Sequence, residues 1–221
     1  MKEILETLEK VSYSNSRYQV FEDWLDLMLD AMQEKNDEYL KIVKKYDNTG
    51  EKGKRPIDYF SQAFGLLMKE MSEKNEDILG KIYMSWNVSN KHTGQFFTPS
   101  HIAGLMADLV AVEKDEKDKP KSVLDPCCGS GTMLIEALKK NPNATFYGQD
   151  IDLTCVKMCA LNLMFFNVNG FVVWGDALKL EVNKVYQTAH TFLGGMLREL
   201  EGENLEEFRK NFINRADLTK K

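Results

Sequence analysis

Three short apolar runs, each closing on an aspartate, constrain the fold of this 221-residue chain more than any other feature. They are Ser122-Val123-Leu124-Asp125, which reads as a short buried strand, Thr145-Phe146-Tyr147-Gly148-Gln149-Asp150, a second strand, and Gly170-Phe171-Val172-Val173-Trp174-Gly175-Asp176, a third. Between them the period changes to helical. Gly129 to Lys140 is a glycine turn entering a helix, and Asp152 can cap a second helix with Val156, Cys159, Ala160, Leu163 and Met164 inward. Strand, helix, strand, helix, strand makes a parallel sheet with right-handed crossovers. Ligands bind such a sheet beyond the carboxyl ends of its strands, where strand order reverses. Asp125, Asp150 and Asp176 fall there. One such acid could be a helix cap or a surface charge; three in register make that reading hard to sustain.

Gly129-Ser130-Gly131 opens the first of these helices. Glycine lets the backbone turn sharply and approach a ligand closely. A dinucleotide fingerprint wants a third glycine three residues on, but Leu134 stands there, which argues against NAD and FAD. Asp150 follows the glycines by about 20 residues, the spacing at which an acid accepts hydrogen bonds from a ribose diol. Asp176 or its neighbour Ala177 could meet an adenine amino group.

The rest of the chain frames this core. The first ninety or so residues read as helices: Phe21, Trp24, Leu25, Met28 and Met32 recur at helical spacing, as do Phe60, Phe64, Leu67 and Met71. The Asp47–Pro56 stretch is a solvated loop. Thr98 can cap a helix opened by Pro99, with Ile102, Leu105, Met106 and Leu109 as its buried face. Phe192 to Arg209 reads as helical and charged. The expected organisation is a helical region over 1–93, a core over 94–180 and a helical tail over 181–221.

Composition excludes several classes. At 43% hydrophobic and 29% charged residues the chain reads as a soluble globular protein. It has no run near the roughly 20 apolar residues that cross a bilayer, and its charged start lacks a signal peptide's apolar region. A cytoplasmic place follows by default. The four cysteines, Cys127, Cys128, Cys155 and Cys159, match no usual zinc-ligand spacing and read as small apolar side chains, so no metal is expected. A net charge of −5 is a poor footing for gripping DNA unaided, because Lys and Arg supply nonspecific affinity.

Asp125-Pro126-Cys127-Cys128-Gly129-Ser130-Gly131-Thr132 resembles the S-adenosylmethionine (AdoMet) loop of N6-adenine DNA methylases, especially the modification subunits of type I restriction systems. Gly94-Gln95-Phe96-Phe97-Thr98-Pro99 resembles the AdoMet-contacting motif that precedes that loop. Gly148-Gln149-Asp150-Ile151 and Gly175-Asp176-Ala177-Leu178 resemble the next two, in the right order, and Asp77-x-Leu79-Gly80-x-x-Tyr83 resembles the helix leading in. The likeness covers roughly residues 77 to 178. It implies an α/β, Rossmann-like methyltransferase core with a partial parallel sheet behind an N-terminal helical domain. It also implies AdoMet as cofactor. Gln95, Phe96, Phe97, Thr98 and Pro99 would wrap the methionine end. Asp125, with Cys127 in the loop beside it, would help hold the amino group. Gly129, Ser130, Gly131 and Thr132 would offer backbone or hydroxyl contacts. Asp150 would take the ribose hydroxyls, and Ile151 would lie against the adenine.

One part of that family's machinery is missing. Its members hold the target base with an Asn/Asp/Ser-Pro-Pro-aromatic segment after the fourth strand. Here the prolines are Pro56, Pro99, Pro120, Pro126 and Pro142; no two are adjacent and none follows Asp176. The stretch after Asp176 is too short for the four further strands of a complete sheet or for a target-recognition domain. Tyr186 and His190, four apart, would share a helix face as a substitute pair or as half-buried surface. No residue is assigned to the transfer step. Three functions follow: a DNA adenine methylase that works on DNA with a partner subunit, a non-catalytic AdoMet-binding regulator, or a methyltransferase for another substrate. Recognition sequence, partner and oligomeric state are not encoded in any motif.

Overall fold

The computed structural model describes residues 1–12, 15–86, 97–110 and 122–218. They divide into two compact units, Met1–Thr98 and Pro99–Lys221.

The first unit is helical, with α1 (Lys2–Glu9), α2 (Arg17–Met32), α3 (Asn36–Val43), α4 (Pro56–Lys74) and α5 (Ile78–Ser85). Phe21, Trp24, Leu25, Leu67, Ile78, Leu79 and Ile82 are buried at its centre. The Trp24 indole N–H donates to the Phe60 carbonyl at 3.2 Å, which satisfies the polar end of a buried ring. Asp77 caps α5, its carboxylate accepting the Gly80 N–H at 2.8 Å. The helical stripes of the sequence are core here, except Phe64, which is half-buried, and Met32, which is 38% exposed.

The second unit runs α6 (Ser100–Val110), β1 (Ser122–Asp125), α7 (Thr132–Lys140), β2 (Thr145–Asp150), α8 (Leu153–Phe165), β3 (Gly170–Trp174), β4 (Lys184–Ala189), β5 (Met196–Glu199) and α9 (Gly202–Leu218). The sheet order is β1-β2-β3-β4-β5. β1, β2 and β3 pair in parallel, while β3–β4 and β4–β5 are antiparallel. α7 and α8 cover one face. On the other, α9 lays Phe208 and Phe212 over Phe171 and Tyr147 beside Val173, Val182, Val185 and Leu200. Gly148 of β2 lets α7 and α8 seat closely: a Cβ there would stand 3.2 Å from Leu134 Cδ1 of α7 and 3.2 Å from Cys159 Sγ of α8.

Several expectations are corrected. Residues 181–221 are not a helical tail: they begin with the β4–β5 hairpin, and α9 comes after it. Lys184–Ala189 buries Val185 on one face of the sheet and Tyr186 and Thr188 on the other, a two-sided strand whose neighbouring polar residues obscured it. Tyr186 therefore lies on a strand and is 4% exposed, while His190 sits exposed in the hairpin turn with its Nδ1 2.9 Å from the Asn167 carbonyl. The substitute pair on a helix face does not exist. α6 starts at Ser100, with the Pro99 carbonyl accepting the Ala103 N–H at 3.0 Å. Its supposed buried residues Ile102, Leu105, Met106 and Leu109 are 42%, 56%, 44% and 67% exposed, and Ala103 and Ala107 are buried instead. β1 is a margin of the described sheet, with Leu124 57% exposed, so neither a fully buried first strand nor a reversal of strand order occurs among the described residues.

Candidate cofactor site

The carboxyl ends of β1, β2 and β3 point the same way because the three strands are parallel. That alone brings Asp125, the 126–132 loop and Asp150 together.

The loop is shaped by its glycines. Gly129 has φ 54° and Gly131 φ 92°, the left-handed region that favours glycine. A Cβ on Gly131 would also fall 2.9 Å from Cys159 Sγ. Backbone bonds lock the turn: Gly131 N–H to the Cys128 carbonyl at 2.8 Å and Cys128 N–H to the Gln149 carbonyl at 2.9 Å. The decisive link joins two motifs, with Gly129 N–H donating to Asp150 Oδ2 at 2.8 Å. The other Asp150 oxygen accepts the Asp152 N–H at 2.9 Å, and Asp152 caps α8 through the Thr154 N–H.

Asp125 accepts the Cys127 N–H at 3.1 Å. Burial raises its pKa above the ordinary carboxylate value, and the charge of nearby Asp150 pushes the same way. Burial likewise raises Asp150, with Asp152 adding repulsion against the bonds from Asp152 and Gly129. Two partly buried acids whose charged forms are disfavoured are a site short of positive charge. Cys127 is exposed beside them, its thiol pushed up by desolvation and then by Asp150 and Asp125, so it stays a thiol rather than a thiolate. Ser130 and Thr132 are buried, their hydroxyls 3.4 Å apart.

Asp176 lies two residues beyond β3. Its carboxylate accepts the Leu178 N–H at 2.9 Å and pairs with Lys179 at 3.2 Å, which holds the turn after the strand. Gly175 N–H donates to the Asp150 carbonyl at 3.0 Å, tying that turn to the end of β2. Ile151 is 68% exposed, and its carbonyl accepts the Trp174 indole N–H at 3.0 Å. Phe97 stacks on Tyr83, with centroids 5.3 Å apart, within the helical unit. Gln95 and Phe96 lie outside the described residues.

Two residues that sequence reasoning left without a role hold this arrangement. Asn162 of α8 is fully buried and donates to the Ser130 carbonyl at 2.8 Å. Gln149 donates from β2 to the Gly175 and Glu181 carbonyls at 3.3 and 3.0 Å. Gln149 sat inside a recognised motif; Asn162 carried no signal beyond being a polar residue on an apolar helix face. Among the described residues no group of three or more His, Cys, Asp and Glu could hold a metal.

With this geometry, residues 74–193 match the family model described as N-6 DNA Methylase. The chain belongs to the N-6 DNA methylase family. The methylase subunit of the type I restriction enzyme MpnII of Mycoplasma pneumoniae is 29% identical over 52% of this chain and 19% of its own length. That of MjaVIII of Methanocaldococcus jannaschii is 33% identical over 55% of this chain and 21% of its own. A solved putative class I S-adenosylmethionine-dependent methyltransferase of Listeria monocytogenes superposes over 80% of this chain and 53% of its own, with TM-score 0.47 and 16% identity. The chain spans about a fifth of the length of the first two relatives.

Proposed function

We propose that this chain is the AdoMet-binding part of an adenine-N6 DNA methylase of the restriction–modification kind, and that methyl transfer requires a partner polypeptide. The observation that carries the cofactor is the bond from Gly129 N–H to Asp150, which draws the glycine loop and the second acid into one wall. The residues suit the ligand. The methionine end of AdoMet carries a sulfonium and an ammonium beside a single carboxylate, and among the described residues no cation lowers the pKa of Asp125 or Asp150. An ionised carboxylate has about four acceptor sites, so Asp150 retains capacity for ribose hydroxyls after its two backbone bonds.

When bound, the cofactor supplies an activated methyl group. Asp125 neutralises and positions the amino group, with Cys127 alongside. The turn Gly129 to Thr132 would bring its backbone close to the cofactor, the N–H groups of Gly129 and Gly131 being already bonded to Asp150 and the Cys128 carbonyl. Ile151 would lie against the adenine and Asp176 or Ala177 would meet its amino group, and the family resemblance assigns Gln95, Phe96, Phe97, Thr98 and Pro99 to the methionine end. The base-gripping side is absent from these 221 residues, since no Pro-Pro pair exists. The cytoplasm, where the DNA is, would be its place of work; no described helix is long and apolar enough to cross a membrane.

The same missing segment favours a second reading, a non-catalytic AdoMet-binding regulator. Two measurements separate them. Calorimetric titration with AdoMet should give heat with the wild type and far less with Asp150→Ala; no heat from the wild type ends the cofactor proposal. Labelled methyl transfer to unmethylated DNA should occur with the partner and not without it. N6-methyladenine made by the chain alone would overturn the partner requirement, and none under any combination would leave the regulator.

A further inference from the structure

Helix α6 wears its apolar side outward. Ile102, Leu105, Met106 and Leu109 are 42–67% exposed, although their spacing is that of a buried stripe. The helix is anchored elsewhere: it packs on α7, its buried positions are the small Ala103 and Ala107, and a Cβ at Gly104 would meet Glu136 of α7 at 3.6 Å. At 3.6 residues per turn, the exposed stripe lies to one side of that contact. The other side is polar, with Asp108 pairing Lys140 at 2.5 Å.

The order of the layer says what the stripe overlooks. α8 packs over β2, β3, β4 and β5, and α7 packs on β1. α6 continues the layer past α7, and β1 is the margin of the sheet beneath. Helices pack about 8–10 Å apart and strands about 4.8 Å, so a helix roofs about two strands. The apolar side of α6 therefore faces the sheet level where a strand beyond β1 would lie. Among the described residues no strand pairs with the outer edge of β1, and Leu124 is 57% exposed beside it.

We infer that this margin is a docking site for a strand-bearing polypeptide, which hydrogen-bonds to β1 and places apolar side chains under Ile102, Leu105, Met106 and Leu109. A second copy does not fit. Its β1 already carries its own α7 on that face, and two β1 strands paired edge to edge would put α6 of one copy and α7 of the other in the same space. On the function proposed above, on which the choice of occupant rests, the partner is the remainder of the methylase. Its new strand would lie against β1, whose last residue is Asp125, so the reacting base would be delivered beside the cofactor.

A photo-crosslinking residue in place of Leu105 or Leu109, in the full chain in the cells that make it, should capture one distinct polypeptide. That polypeptide, purified and added back, should slow amide exchange of Val123 and Leu124 at least about tenfold. Leu105→Glu with Leu109→Glu should weaken the complex by about tenfold or more, the scale of an interface hot spot, while AdoMet heat stays unchanged. Capture of nothing, capture only of a second copy, or unchanged exchange in β1 on adding the captured chain would each overturn the site. AdoMet titration of the chain alone tests the cofactor proposal separately, so the two can fail independently.

Discussion

At the scale of single residues, the site is governed by where charge is unwelcome. Asp125 and Asp150 have raised pKa values because burial penalises their ionised forms, with a neighbouring acid adding repulsion. The folded protein therefore binds protons at these positions more tightly than the unfolded chain. Their contribution to stability is fully present below the ordinary carboxylate value, near 4, and is lost as pH rises through the raised values. A cationic ligand reverses the sign at Asp125, because pairing with its amino group needs that acid ionised. AdoMet affinity should thus fall as pH is lowered from neutrality through the raised values of the acids, and Asp125→Asn should flatten that fall. Calorimetry at several pH values checks both; affinity independent of pH in the wild type would refute the assignment. Gly131 makes a different demand. Gly131→Ala forces a side chain into φ 92° and to within 2.9 Å of Cys159 Sγ. About 1–3 kcal/mol of strain is expected, read as a lowered denaturation midpoint together with weakened AdoMet binding.

At the scale of elements, α9 is held to the sheet by a ladder of rings, Phe171 to Phe208 to Phe212 to Tyr147. Phe208→Ala removes its centre. Because Phe208 is only partly buried, about 2 kcal/mol is expected, below the 3–5 of a fully buried ring. Thermal unfolding should shift down by about 5 °C, with AdoMet binding retained once folded. The three parallel strands and their helices were legible because β1 and β2 end on an acid, β3 is followed by one two residues on, and each helix between them begins at a glycine turn or an aspartate cap. β2 has the bounds read from the sequence, and Asp152 caps α8 as expected. The hairpin was not legible: Gln187, Ala189 and Thr191 give no strong strand signal, and the turn is specified from a distance. Asn167 holds Thr191 through both its N–H and its carbonyl, at 2.9 and 3.0 Å. A Cβ on Gly195 would fall 1.9 Å from the Met164 carbonyl, so the turn is pressed against the end of α8. The side of α6 was misread for a related reason. Periodicity identifies an apolar stripe, but not whether the same chain covers it.

At the scale of the whole molecule, charge limits what the chain does by itself. With a net charge of −5, phosphate neutralisation is weak. The chain alone should not retard duplex DNA at physiological salt, whereas the chain with its partner should; a gel-shift or anisotropy titration at about 150 mM salt decides. Tight binding by the chain alone would count against the division of labour proposed here. The antiparallel attachment of β4 to β3 also bears on how the sheet comes into being. Pairing β1 with β2, or β2 with β3, means closing the chain around a whole helix, whereas β3, β4 and β5 meet through short connections. Short closures cost less chain entropy, and local contacts form soonest. The hairpin on Gly170–Trp174 can thus nucleate the sheet, which then grows backward along the sequence. β1 leaves the ribosome first and is placed last, so its docking edge would stay open longest as the chain folds.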